Sequence, residues 1–336
     1  MRSLTEIIKR WILFIILFLF ISHLQAQTYL PDGLILYNKP GATALIVDKT
    51  ECSVTVFQNQ SIWEKVLQYQ CTTGKNQGDK QQEGDARTPT GLYFFTDAWT
   101  GKELINQYGS SAQIYGAGAF ELNYPNHLDQ VLYNKNGSGI WLHGTDKGYP
   151  AATKGCISTT NTDFLEVAQH ISLFETPLII EESVAYVAQE KIKKVRSELL
   201  EFIKQWKTNW ESGQTETYLS FYSKNFKTQK FNYRRWKQFK KLVNKKNKKR
   251  KIKISEISIL KAKGIYNIQF TQHFTSTGTN DLGRKQLYVA NEQGNFRIIS
   301  ETWQPIKSPR SSLSHQYALE TNSDDSVIRK FRKQTL

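Results

Sequence analysis

Apolar positions fall into three regimes along the chain. Residues 11–21 are apolar without interruption, behind the cations Arg2, Lys9 and Arg10 and ahead of a polar stretch ending Gln25-Ala26-Gln27. A positive n-region, a short apolar core and a small residue at the exit read as a secretory signal over residues 1–26, with Leu24 an imperfect fit at the −3 position. A helix of that length spans about 16 Å, short of the roughly 30 Å hydrocarbon core of a bilayer. A removed signal is therefore the better reading than an anchor. No Cys follows the run to take a lipid, and no later stretch is long and apolar enough to span a membrane.

The middle of the chain, residues 27–183, carries short β-branched and apolar runs. Residues 29–40 read as a lead-in; 44–47, 53–57 and 62–69 form a predicted three-strand meander. Residues 72–90 are polar and Gly-rich with no apolar period, a long loop of the kind that is usually functional. Strands follow at 91–96, 139–143 and 178–180, and 101–119 reads as irregular cleft wall. Residues 163–173 place Phe164, Val167, Ala168 and Ile171 on one helical face, capped by Asn161, Thr162 or Asp163.

In the third regime, residues 184–304, helices come first. Val187, Ile192, Val195, Leu199, Phe202, Ile203, Trp206 and Trp210 recur at helical spacing, and Ser212-Gly213 ends that helix. Two more helices are predicted at 216–222 and 233–247, then strands at 253–261, 265–275, 285–291 and 295–301. Helices followed by a meander make an α+β domain. Residues 305–336 are polar and read as a disordered tail.

Charge follows the same division. Residues 1–184 hold 13 Lys/Arg against 18 Asp/Glu, and residues 185–336 hold 32 against 12, so nets of −5 and +20 make up the overall +15. Two units with different surroundings are implied. The run 234–253 interleaves Trp236, Phe239, Leu242 and Val243 with a dense cationic face. It is read either as a solvated face or as a docking face for an anionic envelope surface. Nucleic acid is not the expected partner, because the signal directs the chain to the periplasm or cell envelope and no nucleic-acid motif accompanies the run.

Candidate chemistry gathers in residues 141–163. Gly139-Ile140-Trp141-Leu142 is a β-rich run that delivers His143, and a loop rich in Gly, Pro, Thr and Ala leads to Gly155-Cys156-Ile157. A cysteine nucleophile needs a base, a group to orient the base, and N–H donors for the oxyanion. Cys156 is the candidate nucleophile and His143 the base and later acid, with the Gly144 carbonyl orienting the imidazole. The N–H groups of Gly155 and Cys156 are the candidate oxyanion donors. Thr153 and Ser158 are candidates for shaping or substrate binding, Tyr115 and Trp141 for lining the cleft. Arg87 reads equally as part of a turn fixed by Pro89 or as a carboxylate-recognition group. No CxxC or HxxxH spacing exists, so neither metal nor cofactor is expected. His127 and His170 read as surface or packing residues. Three cysteines leave at least one free. A hairpin turning near Asn59-Gln60 puts Cys52 closer to Leu67 than to Cys71, which leaves a Cys52–Cys71 disulfide open.

His143-Gly144, Thr153, Gly155-Cys156-Ile157, Ser158, Asn161 and Asp163 together resemble the YkuD-type L,D-transpeptidase family. Thr72-Thr73-Gly74-Lys75, the EGD-x-RTP-x-G stretch from Glu83 to Gly91, and Leu122-Asn123-Tyr124-Pro125-Asn126 extend the resemblance upstream in family order. Many members have His before the Gly and Arg after the Ile, where this chain has Lys154 and Ser158. Trp206, Trp210, Ser212-Gly213, the run from Tyr218 to Ser223, Phe226 and the final Gly294 to Trp303 resemble the nuclear-transport-factor-like (SnoaL-like) fold. The resemblances imply a mainly β catalytic domain, a YkuD-type β-sandwich, followed by a smaller cone-shaped α+β domain. They also imply cysteine acyl transfer on the meso-diaminopimelate of peptidoglycan stem peptides. Two alternatives stay open: hydrolysis of the same L,D linkage, and a non-catalytic wall-binding module.

Overall fold

The structure is a computed structural model describing residues 28–37, 41–145, 152–246 and 249–306. The signal over 1–26 and the tail beyond 306 lie outside these residues, as do 146–151 of the loop before Cys156 and Asn247-Lys248 of the basic run.

In chain order the first strands are β1 (Tyr29–Pro31), β2 (Leu34–Tyr37), β3 (Thr43–Asp48), β4 (Ser53–Asn59), β5 (Trp63–Gln70) and β6 (Gly91–Thr100). Helix α1 (Gly101–Tyr108) and a 3-10 turn (Ser110–Tyr115) lead to β7 (Gly118–Leu122), α2 (His127–Val131), β8 (Trp141–His143) and β9 (Ile157–Ser158). Then come α3 (Asn161–Ala168), β10 (Pro177–Glu181), β11 (Tyr186–Ala188), α4 (Gln189–Ser212), α5 (Thr215–Leu219) and α6 (Tyr233–Lys246). The chain finishes with β12 (Lys251–Ala262), β13 (Ile265–Ser276), β14 (Thr279–Glu292) and β15 (Asn295–Pro305).

Eight strands in the order β5-β4-β3-β10-β6-β7-β8-β9 form one curled sheet that makes up the strand-rich catalytic domain. Its ends meet: Thr72, just past β5, bridges Ser158 of β9, and Gly74 bridges Thr153. Alternation sorts the side chains into two cores. Leu45, Val47, Leu178 and Ile180 point inward with Phe95, Phe120, Leu142 and Ile157. Ala44, Ile46 and Ile179 point the other way and join Leu34, Leu36, Trp206, Ile259 and Ile298 in a second cluster. The central pair β3–β10 is parallel and apolar on both faces because each face meets a core.

The second cluster is the core of the α+β domain, so catalytic sheet and second domain share one apolar interior. The lead-in belongs to that interior. β2 is the edge strand of the five-stranded sheet β15-β14-β13-β12-β2, and β1 pairs with β11. Residues assigned by sequence to the catalytic domain thus complete the second sheet. β15 also runs to Pro305, where the tail was expected to begin.

Three local readings change. Residues 101–119, read as irregular, hold α1 and β7, because Thr100 and Glu103 make a reciprocal capping box at the helix start. Helix α3 is capped by Thr160, whose side chain accepts the Asp163 N–H. Ser53 pairs with Gln70 and the Cys71 N–H donates to the Cys52 carbonyl at 2.7 Å, so the turn falls later than expected and Cys52 lies opposite Cys71. Both thiols are free, Cys52 exposed and Cys71 buried.

Candidate active site

β8 and β9 pair in parallel, with Leu142 opposite Ile157 and His143 opposite Ser158. One step back in that register, Cys156 stands beside Trp141. Trp141 and His143 share a face by the two-residue period. Cys156 is therefore the diagonal neighbour of His143 on that face. The Tyr115 ring stands at right angles to the His143 ring with centroids 5.0 Å apart, and lies 4.8 Å from the Trp141 ring. Cys156 packs with Trp141 and Tyr115 in a small cluster floored by Leu104, Ala112 and Ala119. One cluster thus gathers four of the predicted residues, Cys156, His143, Tyr115 and Trp141.

The base is held in a single orientation. His143 is 6% exposed, and its Nδ1–H donates to the Gly144 carbonyl at 2.7 Å. With the proton on Nδ1, Nε2 carries the lone pair. Burial pushes the imidazole below its usual range, outweighing the upward pull of the Gly144 contact. Burial pushes the Cys156 thiol up to about 11, against the Trp141 backbone N–H bonded to the sulfur and the Lys80 charge nearby. The resting pair is neutral thiol and neutral imidazole, and Sγ donates to the Gly139 carbonyl at 3.5 Å. Gly144 has no room for a side chain, since a Cβ there would stand 2.5 Å from Asn161 Oδ1.

The turn before the nucleophile corrects one assignment. Thr153 Oγ1 donates to the Cys156 carbonyl at 2.7 Å and accepts the Gly155 N–H at 3.0 Å. The Gly155 N–H, expected at the oxyanion, is engaged because the Thr153 hydroxyl folds back onto the turn. Thr153 is a turn-former here, and the Cys156 N–H remains as the candidate donor. Gly155 sits at φ +134°, and a Cβ would come within 2.8 Å of the Arg87 carbonyl. Ser158 is fully buried and stands opposite His143, on the same face as Cys156 by the two-residue period. Arg87 is half-buried, and its Nε has no hydrogen-bond partner among the described residues.

Several contributors carried no sequence signal strong enough to single them out. Thr88 Oγ1 accepts the Gly74 N–H at 2.8 Å and donates to the Gly155 carbonyl at 2.9 Å, tying both ends of the 72–90 loop to the nucleophile turn. Lys80 is buried beside Asp85 at 2.7 Å. Asn161 Oδ1 accepts the Ala117 N–H at 2.7 Å and braces the backbone behind His143. Thr88 lay inside the quoted RTP motif and Asn161 inside the nucleophile signature; nothing distinguished Lys80 from a solvated lysine.

Comparison with known proteins follows this geometry. The L,D-transpeptidase catalytic domain (YkuD) matches residues 42–180, and the Cds6 C-terminal NTF2-like domain matches residues 198–302. The structure of Bd1075 from Bdellovibrio bacteriovorus is 31% identical, covering 83% of this chain and 99% of that chain, with a TM-score of 0.71. The chain belongs to the YkuD L,D-transpeptidase family. This family member is also similar to the helical cell shape determining protein Pgp2 from Campylobacter jejuni. The identity is 28%, over 81% of this chain and 95% of that chain, and the TM-score is 0.68. No curated protein matches. Both fold expectations agree with these findings: a strand-rich catalytic domain of the L,D-transpeptidase family, and an NTF2-like α+β domain after it. The family acts on peptidoglycan, which places this chain among envelope proteins.

Proposed function

We propose that the chain is an exported peptidoglycan L,D-transpeptidase working by cysteine acyl transfer. The observation that carries this reading is the diagonal placement of Cys156 and His143, with the imidazole locked by the Gly144 carbonyl. When a stem peptide enters, His143 Nε2 takes the thiol proton as Sγ attacks the carbonyl on the L-centre side of meso-diaminopimelate. The tetrahedral oxyanion faces the Cys156 N–H. The C–N bond to the terminal D-residue breaks, and its amine leaves with the proton from His143. An acceptor amine then attacks the thioester, gives its proton to His143, and releases the thiol. Arg87 supplies a cation for stem carboxylates.

By the likeness to Pgp2, the product helps set cell shape. The basic helix α6 is the docking face toward the anionic envelope, with fewer free charges than its sequence suggested. Lys237 and Lys241 pair with Glu216 at 2.8 and 2.7 Å. Lys240 is buried under Trp210 and Trp236, and burial pushes it down to about 7. Arg250 folds back to the Asn244 carbonyl at 3.2 Å. Arg234, Arg235, Lys245 and Lys249 remain exposed.

The test is incubation of the purified protein with tetrapeptide muropeptides, with products read by mass. Crosslinked dimers or D-amino-acid exchange support transfer. Tripeptides alone would replace it with hydrolysis, and no turnover, with no thiol labelling by a carbapenem, would leave a binding module.

A further inference from the structure

The loop that flanks the nucleophile is held at its centre by the second domain. Asp79 lies midway along residues 72–90 and takes donors from three directions. Its Oδ1 accepts the Thr90 N–H at 2.9 Å and Lys135 Nζ at 2.7 Å, and its Oδ2 accepts Lys263 Nζ at 2.6 Å. Thr90 belongs to the loop itself, and Lys135 to the catalytic domain, where it also pairs with Asp129 at 3.0 Å. Lys263 comes from the turn between β12 and β13 of the NTF2-like domain.

That turn is rigid. Lys263 and Gly264 have φ of +52° and +72°, the signature of a tight two-residue hairpin. The Lys263 N–H donates to Glu181 Oε1 at 2.8 Å, and its ammonium stands 4.1 Å from the centre of the Tyr133 ring. The ammonium is therefore set by backbone, ring and carboxylate together, and Asp79 is partly buried around it. Burial pushes the Asp79 carboxyl up, but the hydrogen bonds from Lys135 and Lys263 outweigh it and hold the group below the usual carboxylate range.

From Asp79 the contacts run to the nucleophile in both chain directions. Lys80, the next residue, is the cation felt by Cys156. Beyond Thr90's neighbour Pro89, Thr88 is hydrogen bonded to Gly155, and the Arg87 carbonyl covers it. On the other side, the Lys75 N–H donates to the Thr153 carbonyl at 2.9 Å. Moving Asp79 moves the groups that shape the turn before Cys156.

We propose that Lys263 is a positioning residue of the active site: the NTF2-like domain clamps Asp79 and so fixes the 72–90 loop against Gly155 and Cys156. The second domain is then part of the catalytic architecture as well as a separate binding face. This rests on the acyl-transfer reading only for its kinetic arm.

The variants are Lys263→Met, which keeps the stem over Tyr133 without the charge, and Lys263→Arg, which keeps the charge, both in the full chain. Kinetics on tetrapeptide muropeptides are read together with backbone hydrogen exchange. Lys263→Met should lower kcat at least about tenfold, the scale on which misplaced reacting groups act. KM should change little. Exchange should rise in peptides from 72–90 and 153–158 and not in β13–β15. Lys263→Arg should restore both. A kcat for Lys263→Met close to the parent with unchanged loop exchange overturns the clamp. So does a rise in exchange spread evenly over both domains, which would mark general support. If the parent itself turns over no muropeptide, the function reading fails and loop exchange alone decides the clamp.

Discussion

The neutral resting state of Cys156 and His143 has a measurable consequence. Replacing Cys52 with Ser and Cys71 with Ala leaves Cys156 as the single thiol of the chain. Its burial raises the thiol from 9.0 to about 11. Each unit is a factor of ten, so the thiolate fraction at neutral pH falls about 100-fold. The more basic thiolate is the better nucleophile, and a Brønsted slope of about 0.4–0.5 returns roughly 6- to 10-fold. Alkylation by iodoacetamide at neutral pH should therefore run roughly 10- to 15-fold slower than for an exposed thiol. The rate should keep climbing with pH without a plateau until the medium approaches about pH 11. Turnover should behave differently. His143 must be neutral to take the proton, and burial lowers its pKa, so kcat/KM should rise through an apparent pKa below the ordinary 6.5 and then stay level. Mass spectrometry of the alkylated protein and muropeptide kinetics, both across pH, give the two profiles. An alkylation plateau at or below about pH 8 would mean a pre-formed thiolate–imidazolium pair and would refute the neutral assignment.

Other expectations are direct. Cys156→Ala should abolish turnover while circular dichroism stays native, and adding His143→Ala should cost almost nothing further because the two act as a unit. Thr88→Val strands the Gly74 N–H and the Gly155 carbonyl, so it should cost about 1–3 kcal/mol in chemical denaturation and depress turnover. Thr88→Ser should keep most of both. Trp206 is fully buried in the shared core, so Trp206→Ala should cost about 3–5 kcal/mol, with both domains melting in one transition by calorimetry. Changing Arg234, Arg235, Lys245 and Lys249 to Gln should weaken sedimentation with sacculi or anionic vesicles at low salt and leave turnover of small muropeptides unchanged. Salt-independent sedimentation of the parent would defeat docking through charge.

The periodic parts of this fold were legible. β3, β4, β6, β10, α4 and the final meander follow from apolar runs whose period matches their burial, and the signature around Cys156 marked the nucleophile and base. What escaped depended on partners distant in sequence. Residues 29–37 look like a lead-in because Leu36 finds Ile259 only in the folded chain. The Thr100–Glu103 capping box was present but sat among glycines that suggested irregular backbone. Gly155 was assigned an open N–H because its Thr153 acceptor is a side chain, invisible to a backbone argument. Nothing in the sequence singles out Asp79 or Lys263, and only tertiary structure pairs them.

β2 also sets an order of events. Leu34, Ile35 and Leu36 are made early, yet their hydrogen-bonding partner β12 follows the whole catalytic domain and three helices. The chain therefore passes through a stage in which an apolar leg has no sheet to join, and the second sheet is completed only after the last third of the chain has arrived. Such long-range pairing is slow and exposes strand edges meanwhile. The two family regions are in this sense not interchangeable parts. A fragment starting at residue 184 would leave β12 as a bare edge and vacate the space that Leu34 and Leu36 fill. Exchange of the second domain between relatives would have to carry residues 28–37 with it.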